Sequence, residues 1–150
     1  MDQTTSSDIE ALLLTSAAVK KDTAAYCSEA AFSAAELIAH SLQNAGKLML
    51  CGNGGSAGDA QHLAAEFVAT LDHQRLRSGL PALALTTDTS FITAYSNDFG
   101  FEGIFARQVE TMGRPGDVLI CISTSGNSKN VLSAPQAAAK ADIAVIGMTG

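Results

Sequence analysis

The chain has 150 residues, of which 47% are hydrophobic and 16% charged, and its formal net charge is −6. This length and composition predict one ordinary globular domain with a sizeable core. The negative charge argues against a nucleic-acid-binding surface, and no apolar run reaches the roughly 18 residues of a membrane span.

The first 46 residues predict a helical extension ahead of the main domain. Apolar positions within residues 8–23 lie near one face of a helix, and a second helix is expected to begin after Ser28 and to end at Gly46. We expect this extension, residues 1–46, to pack on the domain or on another subunit.

Strands and helices alternate through the rest of the chain. Short apolar runs predict four buried strands, at residues 47–51, 82–86, 117–122 and 143–148. The intervening segments predict helices at 59–67, within 87–97, at 101–112 and at 129–141, with a loop over 96–101 and a kink or a later helix start at Pro135. This order predicts a parallel α/β sheet, doubly wound into three layers, with ligands beyond the carboxyl ends of the strands.

A Gly-rich turn, residues 52–58, joins the first strand to a helix. Glycines let the backbone approach a ligand, and the helix start offers free N–H groups, so this turn predicts an anion site. Gly52, Gly54 and Ala57 also match the dinucleotide pattern, but the acidic residue expected at the end of the next strand is absent. No Gly-Lys-Ser/Thr follows, which excludes a P-loop.

A second, hydroxyl-rich turn covers residues 123–128, after the third strand. Its four hydroxyl side chains are able to donate to phosphate oxygens beside the N–H groups of the next helix: Ser123, Thr124, Ser125 and Ser128. An ordinary polar helix cap is the alternative. Because both turns belong at the same sheet edge, we favour a phosphate site.

Two further pairs of polar residues are candidates for chemistry. His62 and Glu66 are four residues apart and share a helix face, so they indicate a metal or acid–base role, or else a solvated surface. Asn97 and Asp98 are suited to bind sugar hydroxyls, although Asn-Asp is also common in turns. The three cysteines lack metal-type spacing and are expected to be free thiols in a reducing cytosol.

Together these segments resemble the sugar isomerase (SIS) domain and, within it, the phosphoheptose isomerase family. The similar pieces are CGNGGSAGDAQH, LTTDTS, SNDFGFE and GDVLICISTSGNSKNV, in order over most of residues 47–131. The resemblance implies a flavodoxin-like sheet and the aldose–ketose conversion of sedoheptulose 7-phosphate to a heptose 7-phosphate for lipopolysaccharide-core or related pathways. It also implies a cytoplasmic homotetramer with active sites between subunits, and Zn²⁺ in several members.

The resemblance also carries roles onto individual positions. Glu66 corresponds to the catalytic base and, with His62, to a zinc ligand and catalytic pair. Asn97 and Asp98 correspond to residues that contact the sugar. The remaining positions correspond to substrate-binding residues of the two turns: Asn53, Gly54, Gly55, Ser56, Ser123, Thr124, Ser125 and Ser128.

The chain departs from the family pattern after residue 150. Family members continue through another strand and a long helix whose glutamine and histidine complete the metal site. We therefore expect the SIS domain at residues 47–150 to be incomplete at its C-terminal end, with weak zinc binding and low turnover. The alternative function is a non-catalytic SIS module that binds a phosphosugar or a protein such as a replication initiator, and an NAD enzyme ranks third.

Overall fold

A computed structural model describes residues 4–150. The chain divides into two compact units, of which the first ends at Glu36 and the second is Leu37–Gly150. This division lies inside a helix, and the predicted domain boundary between residues 46 and 47 stays a prediction. No helix in the described part of the chain combines the length and apolar character that a membrane span requires.

The N-terminal helix α1 is continuous over Ser6–Gln43, so the predicted pair of helices was wrong. Residues 6–43 contain no glycine or proline to interrupt it, and the Ser28 hydroxyl donates back to the carbonyl of Ala24 instead of capping a new helix. Its first turn is capped by Thr5 and Asp8, each of which accepts a hydrogen bond from the other's backbone N–H. In the part of α1 that belongs to the first unit, large apolar side chains are exposed in the single chain, such as Ile9 at 54% and Tyr26 at 85%.

The second unit is a four-stranded parallel sheet covered by helices, as predicted. In chain order its strands are β1 (Leu48–Gly52), β2 (Ala82–Ala84), β3 (Val118–Ser123) and β4 (Ala144–Thr149). Its helices are α2 (Gly55–Val68), α3 (Thr89–Phe99), α4 (Ile104–Met112) and α5 (Lys129–Lys140), with a 3₁₀ turn at Phe101–Gly103. The strands pair in the order β2-β1-β3-β4, with every pair parallel.

The two faces of the sheet have separate cores. The face that carries Met49 and Leu119 packs on α3, α4 and α5. The opposite face, with Leu50 and Ile120, packs on α2 and on Ile38 of α1. Helices on both sides of a parallel sheet make the predicted three-layer, doubly wound architecture, which the structure confirms.

A buried carboxylate fixes the amino ends of the two central strands. Asp117 accepts hydrogen bonds from the backbone N–H groups of Lys47 at 2.9 Å and Arg114 at 2.7 Å, and it pairs with the Lys47 ammonium. The Asp117 side chain is 3% exposed. One side chain therefore ties the start of β1 to the turn before β3, which sets the register of both strands.

Several predicted boundaries were displaced. Helix α2 begins at Gly55, inside the predicted Gly-rich turn. Helix α3 continues to Phe99, so most of the loop predicted at residues 96–101 is helical. Asp88 caps its start, and the rings of Tyr95 and Phe99 lie 5.0 Å apart along it. Helix α5 starts at Lys129 and runs through Pro135, so the proline does not mark a later start.

Candidate functional site

The Gly-rich and hydroxyl-rich turns are neighbours at the carboxyl edge of the sheet. They follow β1 and β3, which pair directly, with Gly52 in register with Ile122. From β1 the chain moves to β2 on one side, and it later returns to β3 on the other. Open α/β sheets bind ligands at such a change of direction, so the fold places both turns at the expected ligand position.

The Gly-rich turn needs glycine at two positions for different reasons. A Cβ atom at Gly52 would lie 2.8 Å from both the Cβ and the carbonyl oxygen of Ser56, which is too close. Gly54 has φ +55°, a conformation that L side chains rarely adopt, and the space around the Cβ positions of Gly54 and Gly55 is open. The start of α2 therefore presents backbone N–H groups to an accessible space in which an anion fits.

The hydroxyl-rich turn brings its side chains to the start of α5. Ser128 is the N-cap residue but makes no side-chain capping bond, and its Oγ lies 3.4 Å from Oγ of the buried Ser123. Thr124 and Ser125 are exposed, and the Ser125 hydroxyl accepts the backbone N–H of Asn127 at 3.2 Å. The four predicted hydroxyl residues therefore lie in one turn over a helix N-terminus, an arrangement that suits phosphate oxygens.

Side-chain cations contribute little to this anion site. The nearest in sequence is Lys129, whose Nζ donates to the Glu102 carboxylate at 2.9 Å. That hydrogen bond and the carboxylate charge raise the pKa of Lys129 above its ordinary value. Because Glu102 already engages this ammonium group, the predicted anion site relies on backbone N–H groups and hydroxyls.

An amide pair joins the two turns, and its second member escaped the sequence reasoning. Asn53, in the Gly-rich turn, and Asn130, in the first turn of α5, exchange two side-chain hydrogen bonds of 2.8 Å each. Asn130 is 3% exposed. The sequence offers a weak signal for it, namely a polar residue at a helix position that turns out to be core-facing.

His62 and Glu66 are paired, but the structure does not place them at the turns. His62 Nε2 lies 3.8 Å from Glu66 Oε1 on α2. Glu66 is eleven residues beyond Gly55, which puts it about 16 Å along the helix axis, towards the amino edge of the sheet. The pair instead borders a separate hollow of about 350 Å³, lined also by Leu63, Phe67, Leu71, Arg77 and Leu80.

Arg77 stabilises the end of the helix that carries this pair. Its guanidinium donates to the carbonyl oxygens of Glu66 at 2.7 Å and Phe67 at 2.8 Å, and to that of Ser78 at 3.0 Å. The carbonyls of Glu66 and Phe67 lie at the negative end of the helix dipole, where a cation is favourable. Arg77 comes from the polar linker before β2, where the sequence gives no sign that it meets α2.

The described side chains do not form a complete zinc site. Zinc sites in proteins use at least three protein ligands, and the pair supplies two, His62 and Glu66. Among residues 4–150, no group of three or more His, Cys, Asp or Glu side chains is arranged to hold a metal ion. The described residues therefore do not by themselves fit the metal that the resemblance implies.

Asn97 and Asp98 lie at the end of α3, apart from the His62–Glu66 pair. Both are exposed, and Asn97 Nδ2 donates to Asp98 Oδ1 at 2.8 Å. No hydrogen bond in the described part of the chain links either side chain to the two turns. Their proposed contact with the sugar stays a prediction.

Comparisons with known proteins agree with this architecture. A family model described as the SIS domain matches residues 14–150. Phosphoheptose isomerases are similar in sequence: that of Roseiflexus sp. (strain RS-1) is 59% identical over 116 residues, and that of Rhodospirillum rubrum is 55% identical over 124 residues. These matches cover 77% and 83% of this chain.

Two solved structures have the same fold. The phosphoheptose isomerase from Neisseria gonorrhoeae superposes with a TM-score of 0.88 at 47% identity, over 95% of this chain and 73% of that one. The enzyme from Francisella tularensis gives a TM-score of 0.93 at 38% identity, over 99% and 76%. The chain spans 58% and 65% of the lengths of the Roseiflexus and Rhodospirillum relatives. It belongs to the SIS-domain family and, within it, to the family of the phosphoheptose isomerases.

Proposed function

We propose that the protein is a phosphoheptose isomerase that interconverts sedoheptulose 7-phosphate and the corresponding aldose 7-phosphate. The observation that carries the proposal is the pair of anion-binding turns, side by side at the change of strand direction, in a chain 59% identical to a phosphoheptose isomerase. The turns account for the phosphate of such a substrate. The open space beside Gly54 and Gly55 supports the proposal, because a ligand is able to approach the backbone there.

The proposed reaction needs one group that moves a proton between adjacent carbons. A carboxylate takes the proton from the hydroxyl-bearing carbon beside the carbonyl, which gives an enediolate. A proton passes from the hydroxyl oxygen of that carbon to the former carbonyl oxygen, and the carboxylate returns its proton to the former carbonyl carbon. Glu66 is proposed as this base. Hydrogen-bond donors near the enediol oxygens, for which Asn53 is a candidate, would stabilise the negative charge that develops there.

The separation between Glu66 and the turns leads to a proposal about assembly. Within one chain Glu66 lies about 16 Å beyond the start of α2, and its hollow includes no residue of either turn. We therefore propose that each active site combines the two turns of one copy with Glu66 of another, in a homo-oligomer such as a tetramer. The exposed apolar side chains of α1 supply surface for such an assembly.

Subunit mixing tests both the base and the shared site. Glu66→Gln and the double variant Ser125→Ala/Ser128→Ala are each expected to lose isomerase turnover when assayed alone. Co-expressed in one oligomer, they should recover up to about a quarter of wild-type activity, since random pairing joins intact turns to an intact base in one case of four. Full activity of Glu66→Gln would remove Glu66 as base, and no recovery on mixing would place the whole site within one copy.

A non-catalytic phosphosugar-binding module is the second candidate. The incomplete ligand set around His62 and Glu66 favours it, because no third metal-binding side chain of the described residues stands beside the pair. Purified wild-type protein that binds sedoheptulose 7-phosphate in calorimetry but shows no turnover would support this module. Turnover abolished by Glu66→Gln would support the enzyme.

Zinc is proposed only as an ion for which this pair supplies two ligands, and no step of the reaction is derived through it. A two-ligand site binds zinc weakly, because the remaining positions are held by water. Calorimetry with zinc chloride should therefore show weak binding that His62→Ala reduces further. Tight binding lost in His62→Ala would show that further ligands complete the site in the assembled protein.

A further inference from the structure

Asn130 is a buried polar side chain whose hydrogen bonds all lie at the carboxyl edge of the sheet. It sits in the first turn of α5, 3% exposed, and faces Asn53 across the gap between the two turns. An amide buried to this degree is costly unless its donors and acceptor are paired. The two reciprocal 2.8 Å bonds with Asn53 provide most of that pairing.

A backbone hydrogen bond determines which position of each amide holds the oxygen and which holds the nitrogen. The N–H of Val131 donates to Oδ1 of Asn130 at 3.0 Å, so this atom must be the oxygen and not the nitrogen. Asn53 must then present its Nδ2 to that oxygen and accept the Nδ2–H of Asn130 at its own Oδ1. The start of α5 thereby fixes the orientation of an amide on the other turn.

This arrangement leaves part of the Asn53 amide for a ligand. An amide has two N–H donors and two lone pairs on its oxygen, and Asn130 uses one of each. One donor and one lone pair of Asn53 remain, on opposite sides of the amide plane's axis and in fixed directions. A sugar hydroxyl both donates and accepts, so it is able to bond to either of these free positions.

We propose that Asn130 is a positioning residue: it orients Asn53 towards the sugar and couples the Gly-rich turn to the hydroxyl-rich turn. The proposal rests on the proposed function, because it assigns the free edge of Asn53 to a hydroxyl of the sugar phosphate. Asn130 itself does not touch the substrate. Its effect on binding passes entirely through Asn53.

A double-mutant cycle on the full chain tests this route. Calorimetric titration with sedoheptulose 7-phosphate would compare the wild type, Asn53→Ala, Asn130→Ala and the double variant. Each single variant should bind about fivefold to tenfold more weakly, the value of one or two lost hydrogen bonds. The double variant should bind no more weakly than the singles, because Asn130 has no effect once Asn53 is gone.

A matched control separates positioning from loss of stability. Val131→Ala removes apolar atoms from the same buried turn but keeps the N–H that donates to Asn130, so it should lower stability without changing affinity. Side-chain amide NMR provides a readout that needs no ligand. The Asn53 amide proton that is bonded to Asn130 should exchange slowly in the wild type and in Val131→Ala, and rapidly in Asn130→Ala.

The outcomes distinguish this proposal from the proposed function. Multiplicative losses in the double variant, or an Asn53 amide that exchanges equally fast in wild type and Asn130→Ala, would overturn the role of Asn130. A wild type that shows slow Asn53 exchange but does not bind the sugar phosphate would instead overturn the proposed substrate, with the orientation of Asn53 by Asn130 still supported.

Discussion

Removing the Asp117 carboxylate should destabilise the sheet that carries the functional turns. In the native protein this side chain is 3% exposed and accepts the backbone N–H groups of Lys47 and Arg114, at 2.9 and 2.7 Å. Asp117→Ala leaves both partly buried N–H groups without their acceptor. It also removes the ion pair with the Lys47 ammonium.

The expected loss follows from these contacts. A hydrogen bond to a charged group contributes about 1.5–3 kcal/mol, so the two backbone bonds together contribute about 3–6 kcal/mol. We add little for the ion pair, because the Lys47 side chain is 26% exposed and solvent screens it. Since whole domains are stable by about 5–15 kcal/mol, the variant should lose a large share of its free energy of unfolding.

Urea denaturation followed by circular dichroism measures this loss, with two companion variants. Asp117→Asn keeps one acceptor oxygen but turns an NH₂ group towards a donor, so its loss should fall between the wild type and Asp117→Ala. Glu110→Ala removes a surface carboxylate 3.8 Å from Arg107 and should change stability by less than about 1 kcal/mol. A loss below about 1 kcal/mol for Asp117→Ala would refute the assignment of this carboxylate as the group that fixes the two strands.

Three further outcomes follow from other parts of the structure. Gly52→Ala should weaken phosphosugar binding in calorimetry and lower the melting temperature, because its Cβ would lie 2.8 Å from the backbone of α2; unchanged affinity and melting temperature would contradict the tight approach. Arg77→Ala should lower turnover more than Arg77→Lys, which keeps a cation at the end of α2. Equal rates in the two variants would show that the Arg77 cation does not help to position Glu66. Iodoacetamide at pH 8.5 should label the exposed Cys27 and spare the buried Cys51 and Cys121 until urea unfolds the protein, as measured by mass spectrometry. The hydrogen bond with Cys121 and burial raise the pKa of Cys51, so labelling of Cys51 in the native protein would contradict this buried environment.

The alternation of strands and helices was predictable because each buried strand is a compact apolar run. The runs at β1 and β3 are flanked by polar turns, and hydroxyl and glycine residues at their carboxyl ends marked the ligand edge. The residues of the two turns were therefore predictable from the sequence alone. The order of the strands was not predictable in this way, because right-handed crossovers allow several orders besides β2-β1-β3-β4.

Other features could not be read from local patterns. Ser28 is a common N-cap residue, yet it lies within α1, since nothing between residues 6 and 43 interrupts the helix. Spacing showed that His62 and Glu66 share a face, but not that α2 runs away from the ligand edge and carries them along. Asn130 and Arg77 act on partners 77 and 11 residues away in sequence, and such contacts depend on tertiary structure alone.

Because α2 runs away from the two turns, the surroundings of Glu66 and the turns themselves lie in different places and can change independently. The linker that follows α2 lies at the sheet edge opposite the turns, and through Arg77 it contacts the end of the helix near Glu66. Insertions or substitutions in this linker can therefore shift the end of α2 that carries Glu66 while the two turns, held by β1–β3 pairing, stay unchanged. In evolution or in protein engineering, the surroundings of Glu66 are thus open to change in this fold without a change in either turn.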